Sequence, residues 1–375
     1  MATPQRILSF LLIPISSILF LLRPSSGGQS FQSCGFDKIF QFGDSIADTG
    51  NAIREFPTGI MVPCDRPPYG ETFGGVTGRC SNGLLMVDYF AISSGLPYLN
   101  PYLENGAKFE NGVNFAVSGA TALPVVKLLI SDLVLAPFTL SSLSVQLNWM
   151  SAYFNSTYST DGDFREKLKQ SLFLVGEIGA NDIGDALEEG KSFDDVKSLV
   201  PNVVNAITAA VRTVISTYGA VRVIVPGIWP LGCFPVFLTR FQHNNDLTYD
   251  GNQCLNQIND LTVYFNGRLQ NAILELKEEF PDAFIAYGDY YNAFLQLLNN
   301  ASALGIDVAS IQKSCCGIGG DYNFNLALEC GSPGVPVCSN PSSYVHWDGI
   351  HLTQAAYQFM AGWLIVNILP SLGCN

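Results

Sequence analysis

A serine early in the chain and a histidine near its end each have the neighbours that acyl-transfer chemistry requires. Ser45 follows Gly43-Asp44 at the close of a short apolar run, Ile39-Phe40-Gln41-Phe42. That run reads as a buried strand, and Gly43 frees the backbone to turn. A serine at such a turn points its hydroxyl into the crevice at the carboxyl end of a parallel sheet. Far downstream, Asp348-Gly349-Ile350-His351 places a carboxylate three residues before an imidazole, so one local turn can hold a base and the acid that orients it. The chain has only three histidines. His243 sits among Asn244, Asn245 and Asp246 in a polar loop, His346 has Ser343 at the same offset, and only His351 has an acid there.

Each of these residues also has a plainer reading. Ser45 can cap a helix, Asp348 can cap the last helix of the chain, and Asn181-Asp182 can cap the helix after a third strand. Gly119 can be an ordinary turn glycine. Taken together, however, these polar and glycine sites follow, or lie near, strand ends on one sheet, and the plainer reading must explain each separately. His346 and Trp347, beside the dyad, read as packing residues with a pocket rim as the alternative. The aromatic segment 287–294 reads equally as cleft lining or core.

The elements that must position these residues follow from periodicity. Gly112 to Thr121 is an apolar run ending in small residues, read as a second strand and a tight turn at Gly119. Residues 171–176 and 221–225 are further strands, and 283–287 another. Residues 84–95, 196–218 and 255–280 have apolar spacing of three and four, stopping at Gly95, at Gly219 and before Pro281. Residues 123–148 read as helical toward their end, and 353–369 as a closing helix. Strands alternating with helices of this length predict an α/β fold, a parallel sheet covered on both faces. Residues 57–83 and 314–341, rich in glycine, proline and cysteine, read as long ordered loops.

Composition bounds the rest. The 375 residues suit one large α/β domain, with no polar linker dividing them. With 48% hydrophobic and 14% charged residues, disorder is excluded. A net charge of −13 argues against nucleic acid and anionic membrane surfaces as partners. Residues 1–28 read as a secretory leader: Arg6, an apolar run over 7–22, then Ser25-Ser26-Gly27-Gly28. A membrane anchor is the alternative, disfavoured by the run's length and by Pro14. This leaves 29–375 as a single domain without stable membrane insertion, destined for the secretory pathway, apoplast or vacuole. All ten cysteines lie beyond the leader and suggest several disulfides of unreadable connectivity. None shows CxxC spacing, so no metal site is expected. Asn155 and Asn300 begin glycosylation sequons.

Gly43-Asp44-Ser45, Gly119, Gly179-Ala180-Asn181-Asp182 and Asp348-x-x-His351 stand in the order of the signature blocks of the GDSL esterase/lipases, or SGNH hydrolases, and the chain resembles that family over its mature length. Thr77-Gly78-Arg79-Cys80-Ser81-Asn82-Gly83, Pro230-Leu231-Gly232-Cys233 and Cys315-Cys316-Gly317 are similar to its plant branch. Gly112 to Leu123 and Tyr287 to Ala293 resemble the acetylajmalan esterase group within it. The resemblance implies a three-layer α/β/α sandwich with a central parallel sheet, flavodoxin-like, and no cofactor. It implies Ser45 as nucleophile, His351 as base, Asp348 as its orienting acid, and an oxyanion hole from the Ser45 N–H, Gly119 and Asn181. It also implies a small acyl ester of a plant specialised metabolite as substrate. Ile46 replaces the usual leucine after the serine, a packing change. The Gly-x-Ser-x-Gly elbow of other serine hydrolases is not found around Ser45. Three alternatives stay open: an acyltransferase using the same serine, a non-catalytic extracellular glycan-binding protein, and a metal hydrolase built on His346, Asp348 and His351.

Overall fold

The computed structural model describes residues 30–55, 63–131, 138–158 and 165–374. The leader expected over 1–28 and part of the loop expected over 57–83 lie outside them.

Among the described residues, five parallel strands form one sheet in the order β2-β1-β3-β4-β5. They are β1 (Lys38–Phe42), β2 (Gly112–Asn114), β3 (Ser171–Val175), β4 (Arg222–Pro226) and β5 (Phe284–Gly288). Every residue of β3 is buried, as expected for a strand covered on both faces. Phe40 of β1 stacks on Phe173 of β3 at 5.0 Å and meets Phe154 edge-on at 5.1 Å, which ties the sheet centre to the helix Leu143–Thr157. Aromatic pairs of this kind add about 1 kcal/mol each to the burial of their area.

Helices sandwich the sheet. Leu143–Thr157, Phe193–Ser216 and Asn256–Glu279 pack together in one layer, and Met86–Ser94, Tyr290–Asn299 and Gln354–Ile368 in the other. Phe193–Ser216 is long and apolar enough to cross a membrane by length and composition, but Val200, Val203, Val211 and Val214 are fully enclosed in the core.

The element ends depart from periodicity where side chains take over. The long helix begins at Phe193, three residues before the apolar spacing does, because the Ser192 hydroxyl accepts the Asp195 N–H. The second strand is only three residues long, since the chain leaves the sheet after Asn114. The helix expected toward the end of 123–148 runs on to Thr157, with a separate short helix at Val125–Ile130. Thr353, not Asp348, caps the last helix.

All ten cysteines are paired: Cys34–Cys374, Cys64–Cys80, Cys233–Cys254, Cys315–Cys338 and Cys316–Cys330. The first joins positions 340 residues apart in the chain. Cys64–Cys80 staples the glycine- and proline-rich loop, and the last two cross-link the loop that precedes His351.

Candidate active site

The strand order sets the site. β2, β1 and β3 are neighbours, so the loops leaving their carboxyl ends emerge side by side. Those loops carry Gly119 and Ser45 and lead into the helical turn that bears Asn181. This is the crevice position at which open α/β sheets bind ligands, beside the strand where the connections diverge.

Ser45 sits on a single helical turn in which the N–H groups of Ala47 and Asp48 donate to the Asp44 carbonyl, and Asp44 Oδ1 accepts the Ile46 N–H. It caps no regular helix. Gly43, at φ +148, lets the strand end pass the neighbouring loop: a Cβ there would stand 2.7 Å from the Glu177 carbonyl oxygen. Gln146 clamps Gly43 from the side, accepting its N–H at 2.9 Å and donating to its C=O at 2.8 Å.

Asp48, fully buried, links this turn to the Gly119 loop. Its Oδ1 accepts from Gly50 and Asn51, and its Oδ2 from Ala52 and, at 2.9 Å, from the Ser118 N–H. Gly119 itself has φ +78, and a Cβ on it would meet Phe138 at 2.6 Å. Among the described residues the N–H groups of Ser45 and Gly119 donate to nothing, while those of Ile46, Ala47, Ser118 and Ala120 are all engaged.

Asn181 lies in the first turn of the helix Ala180–Glu188, whose N-cap is Gly179. It therefore caps nothing. Its Nδ2 donates to the Ala120 carbonyl at 2.8 Å, which fixes the amide, and reaches Asp44 Oδ2 at a longer 3.3 Å. Next to it, Asp182 accepts the N–H groups of Ala122 and Leu123. Burial nevertheless pushes its carboxyl up to about 7, against those two bonds. Asp44 and Glu177 are both buried at the cavity and are raised by burial; Asp44 raises Glu177 further.

The acid and the imidazole are joined locally. Asp348 Oδ1 accepts the N–H groups of Ile350 and His351, and Oδ2 lies 2.7 Å from His351 Nδ1. Gly349, at φ +97, permits that turn, and any side chain there would strike the Phe324 ring. Oδ2 also accepts the Tyr69 hydroxyl at 2.7 Å. Burial alone would raise this carboxyl, but the His351 charge and the hydrogen bonds from His351 and Tyr69 hold it down at about 2. The other ring nitrogen, His351 Nε2, is enclosed and has no hydrogen-bond partner. Ser45 and His351, 9% and 5% exposed, line one cavity of about 250 Å³, together with Gly119 and Asn181.

Residues that sequence reasoning passed over complete the site. Tyr69 lies in the loop stapled by Cys64–Cys80, so its signal was the cysteine-flanked loop rather than its own type. The disulfide itself lines the cavity beside His351. Cys64, Cys80 and His351 offer ligand atoms within 4.8 Å of one another, but the two sulfurs are bonded together and carry no thiolate for a metal.

Two open choices resolve toward packing. His346 and Trp347 are fully enclosed and lie outside the cavity lining; His346 meets Phe234 edge-on at 4.8 Å. Tyr290 and Phe294 of segment 287–294 lie behind the cavity wall, stacked on Trp229 and Phe234. Asn155 and Asn300 are both exposed, as glycan acceptors must be.

Comparison with known proteins adds the following. The model of the GDSL-like Lipase/Acylhydrolase family matches residues 39–364. Acetylajmalan esterase 2 of Rauvolfia serpentina is 46% identical over 363 residues, covering 96% of this chain and 98% of that protein. Sinapine esterase of Brassica napus is 40% identical over 355 residues, 92% of this chain and 90% of its own. Among solved structures, phospholipase A1 from Streptomyces albidoflavus aligns over 90% of this chain and 100% of its own, with 14% identity and a TM-score of 0.40.

Proposed function

The chain belongs to the GDSL-like lipase/acylhydrolase family and is a carboxylic-ester hydrolase, and we propose that it works through an acyl-enzyme on Ser45. The observation that carries this reading is the Asp348–His351 pair at 2.7 Å, with Nε2 unpartnered at the cavity that Ser45 shares.

In the first half-reaction Ser45 Oγ bonds to the acyl carbon as its proton passes to His351 Nε2. Asp348 holds the imidazole with Nδ1–H toward it and stabilises the imidazolium. The carbonyl π electrons move to oxygen, where the N–H groups of Ser45 and Gly119 and the Asn181 amide receive the charge. The oxyanion displaces the long contact between Asn181 and Asp44 while the Ala120 bond keeps the amide in place. Collapse breaks the bond to the alcohol oxygen, which leaves with the proton from His351. Water then attacks the acyl-enzyme by the same route, releasing the acid and restoring Ser45.

The substrate we infer is a small acyl ester, of acetyl type, of a plant specialised metabolite. The names of the acetylajmalan esterase relatives support the class, and a cavity of about 250 Å³ supports a compact substrate. Residues 1–28 act as a leader, and 29–375 form one hydrolase domain working in the apoplast or vacuole. Five disulfides require an oxidising compartment, in keeping with that route. Glycans on Asn155 and Asn300 would appear as a mobility shift on deglycosylation, lost in Asn155→Gln/Asn300→Gln.

The test is covalent labelling by a fluorophosphonate combined with an ester panel spanning acetyl, hydroxycinnamoyl and long-chain acyl groups. Labelling of Ser45 and turnover of acetyl esters are expected; folded protein that neither labels nor turns over refutes the reading.

A further inference from the structure

Of the five bridges, Cys64–Cys80 lines the cavity shared by Ser45 and His351, and among the described residues no other cysteine does. It touches both halves of the site. The two sulfurs and an imidazole nitrogen of His351 lie within 4.8 Å of one another. On the other side, Cys80 Sγ stands 3.4 Å from the Ser118 hydroxyl. Ser118 precedes Gly119, and its N–H is the one that Asp48 holds from the nucleophile turn. The bridge therefore stands between the base and the loop of the oxyanion hole.

The chain that the bridge closes supplies a third link. The Gly70 N–H donates to the Ser81 C=O at 3.0 Å and the Thr72 N–H to the Asn82 C=O at 2.8 Å, so the loop doubles back on itself beside Cys80. Tyr69, next to Gly70, is thereby set with its hydroxyl on Asp348. Tyr69 also meets Trp347 edge-on at 6.1 Å, and the Trp347 N–H donates to the His351 C=O at 2.8 Å. Cys64, Cys80, Tyr69 and Trp347 share a small buried cluster with the two bridges that precede His351, apart from the large core that packs the sheet. The turn of Asp348 and His351 is braced by a core built of disulfides, whereas Ser45 rests on the sheet.

The covalent bond matters chemically as well. Two free thiols at these positions would put S–H donors beside the imidazole, and a thiol so placed passes its proton to the ring. Bonded together, the sulfurs wall the ring and leave its free nitrogen to the serine.

Resting on the reading of Ser45, Asp348 and His351 as the reacting groups, we propose that Cys64–Cys80 is a positioning bridge of the active site: it sets the His351 imidazole against the Gly119 loop and holds Tyr69 on Asp348. Losing it costs turnover rather than substrate binding.

The experiment uses Cys64→Ala/Cys80→Ala in the full chain, with p-nitrophenyl acetate as substrate and circular dichroism as the check on folding. The variant is expected to lose at least tenfold in kcat with KM changed threefold or less. Cys34→Ser/Cys374→Ser, a bridge away from the cavity, is expected to lower Tm and keep kcat within twofold. Tyr69→Phe supplies the readout that a structural role would not move. It should lower kcat/KM at least tenfold in wild type but threefold or less once the bridge is absent, because the tyrosine has already lost its hold. A folded bridge variant with wild-type kcat, or a Tyr69→Phe effect that multiplies in full, overturns the proposal. If the variant does not fold, native protein is treated with tris(2-carboxyethyl)phosphine, raised until Cys64–Cys80 opens to two thiols as the phosphine becomes its oxide. Alkylation and mass spectrometry identify the bridges opened. Hydrolysis is expected to fall in step with that bridge, and hydrolysis kept with it open overturns the proposal. Wild-type protein that hydrolyses no ester removes the reading of the site, and the proposal with it.

Discussion

The Tyr69 hydroxyl and His351 Nδ1 meet on the same oxygen, Asp348 Oδ2, each at 2.7 Å, although Tyr69 stands 279 positions from that aspartate in the chain. The acid of the dyad is therefore held from two sides: by its own local turn and by a loop pinned through Cys64–Cys80. Removing the hydroxyl removes a donor to a buried charge.

In Tyr69→Phe the carboxyl of Asp348 rises from about 2 because burial is then opposed by one donor fewer. A hydrogen bond to a charged group is worth about 1.5–3 kcal/mol, so kcat/KM should fall at least about tenfold. The acidic limb of the pH profile should move upward. A profile unchanged in position, with only Tm lowered, would assign Tyr69 a purely structural role.

Ser45→Ala and His351→Ala should abolish ester hydrolysis, each by a factor on the order of 10⁶ in kcat, with circular dichroism unchanged. Asp348→Asn should lose on the order of 10⁴, since the imidazole keeps its place but not its tautomer. An active Ser45→Ala protein would contradict the acyl-enzyme.

Asn181→Ala should reduce kcat about a hundred- to thousandfold with little change in KM, the signature of a donor that acts in the transition state. Its bond to the Ala120 carbonyl predicts a separate, modest loss of about 1 kcal/mol in stability. Steady-state kinetics alongside Tm separates the two effects.

His346 supplies a stability test that catalysis does not touch. Burial, only partly opposed by the charge of Asp348, lowers it from the usual 6.5 to about 3. Because the folded value lies below the unfolded one, protonation favours the unfolded chain. Stability is fully present above pH 6.5 and is lost as pH falls toward 3, at up to about 1.4 kcal/mol per pH unit. Replacing the ring by leucine should remove that slope. Chemical denaturation at pH 7, 5 and 4 would show wild type losing stability relative to His346→Leu as pH falls, whereas parallel curves would place the titrating group elsewhere.

Cys34–Cys374 closes a loop of sequence separation 340, so its loss releases the largest chain entropy of the five bridges. Cys34→Ser/Cys374→Ser should cost about 6 kcal/mol by the loop-entropy relation and lower Tm while leaving KM unchanged. A shifted KM would mean that the bridge also shapes the cavity.

What could be read from the residues alone was whatever is local in the chain. The alternation of strands and helices follows from apolar spacing, and the Asp348–His351 pair from a three-residue offset that one turn can close. Ser45, Gly119 and Asn181 were legible as strand-end residues and through the order of the blocks they belong to. Their convergence was not, because it depends on β1 lying between β2 and β3, a matter of sheet order. The link from Asp48 to Ser118, the clamp of Gln146 on Gly43 and the bond from Tyr69 to Asp348 all join distant segments, which periodicity does not record. The elevated carboxyls of Asp44, Glu177 and Asp182 belong to the same class, since a carboxyl's charge responds to burial and to neighbours that only folding assembles. The pairing of ten cysteines was likewise left to the tertiary structure, because any two can bond once the fold brings their sulfurs together.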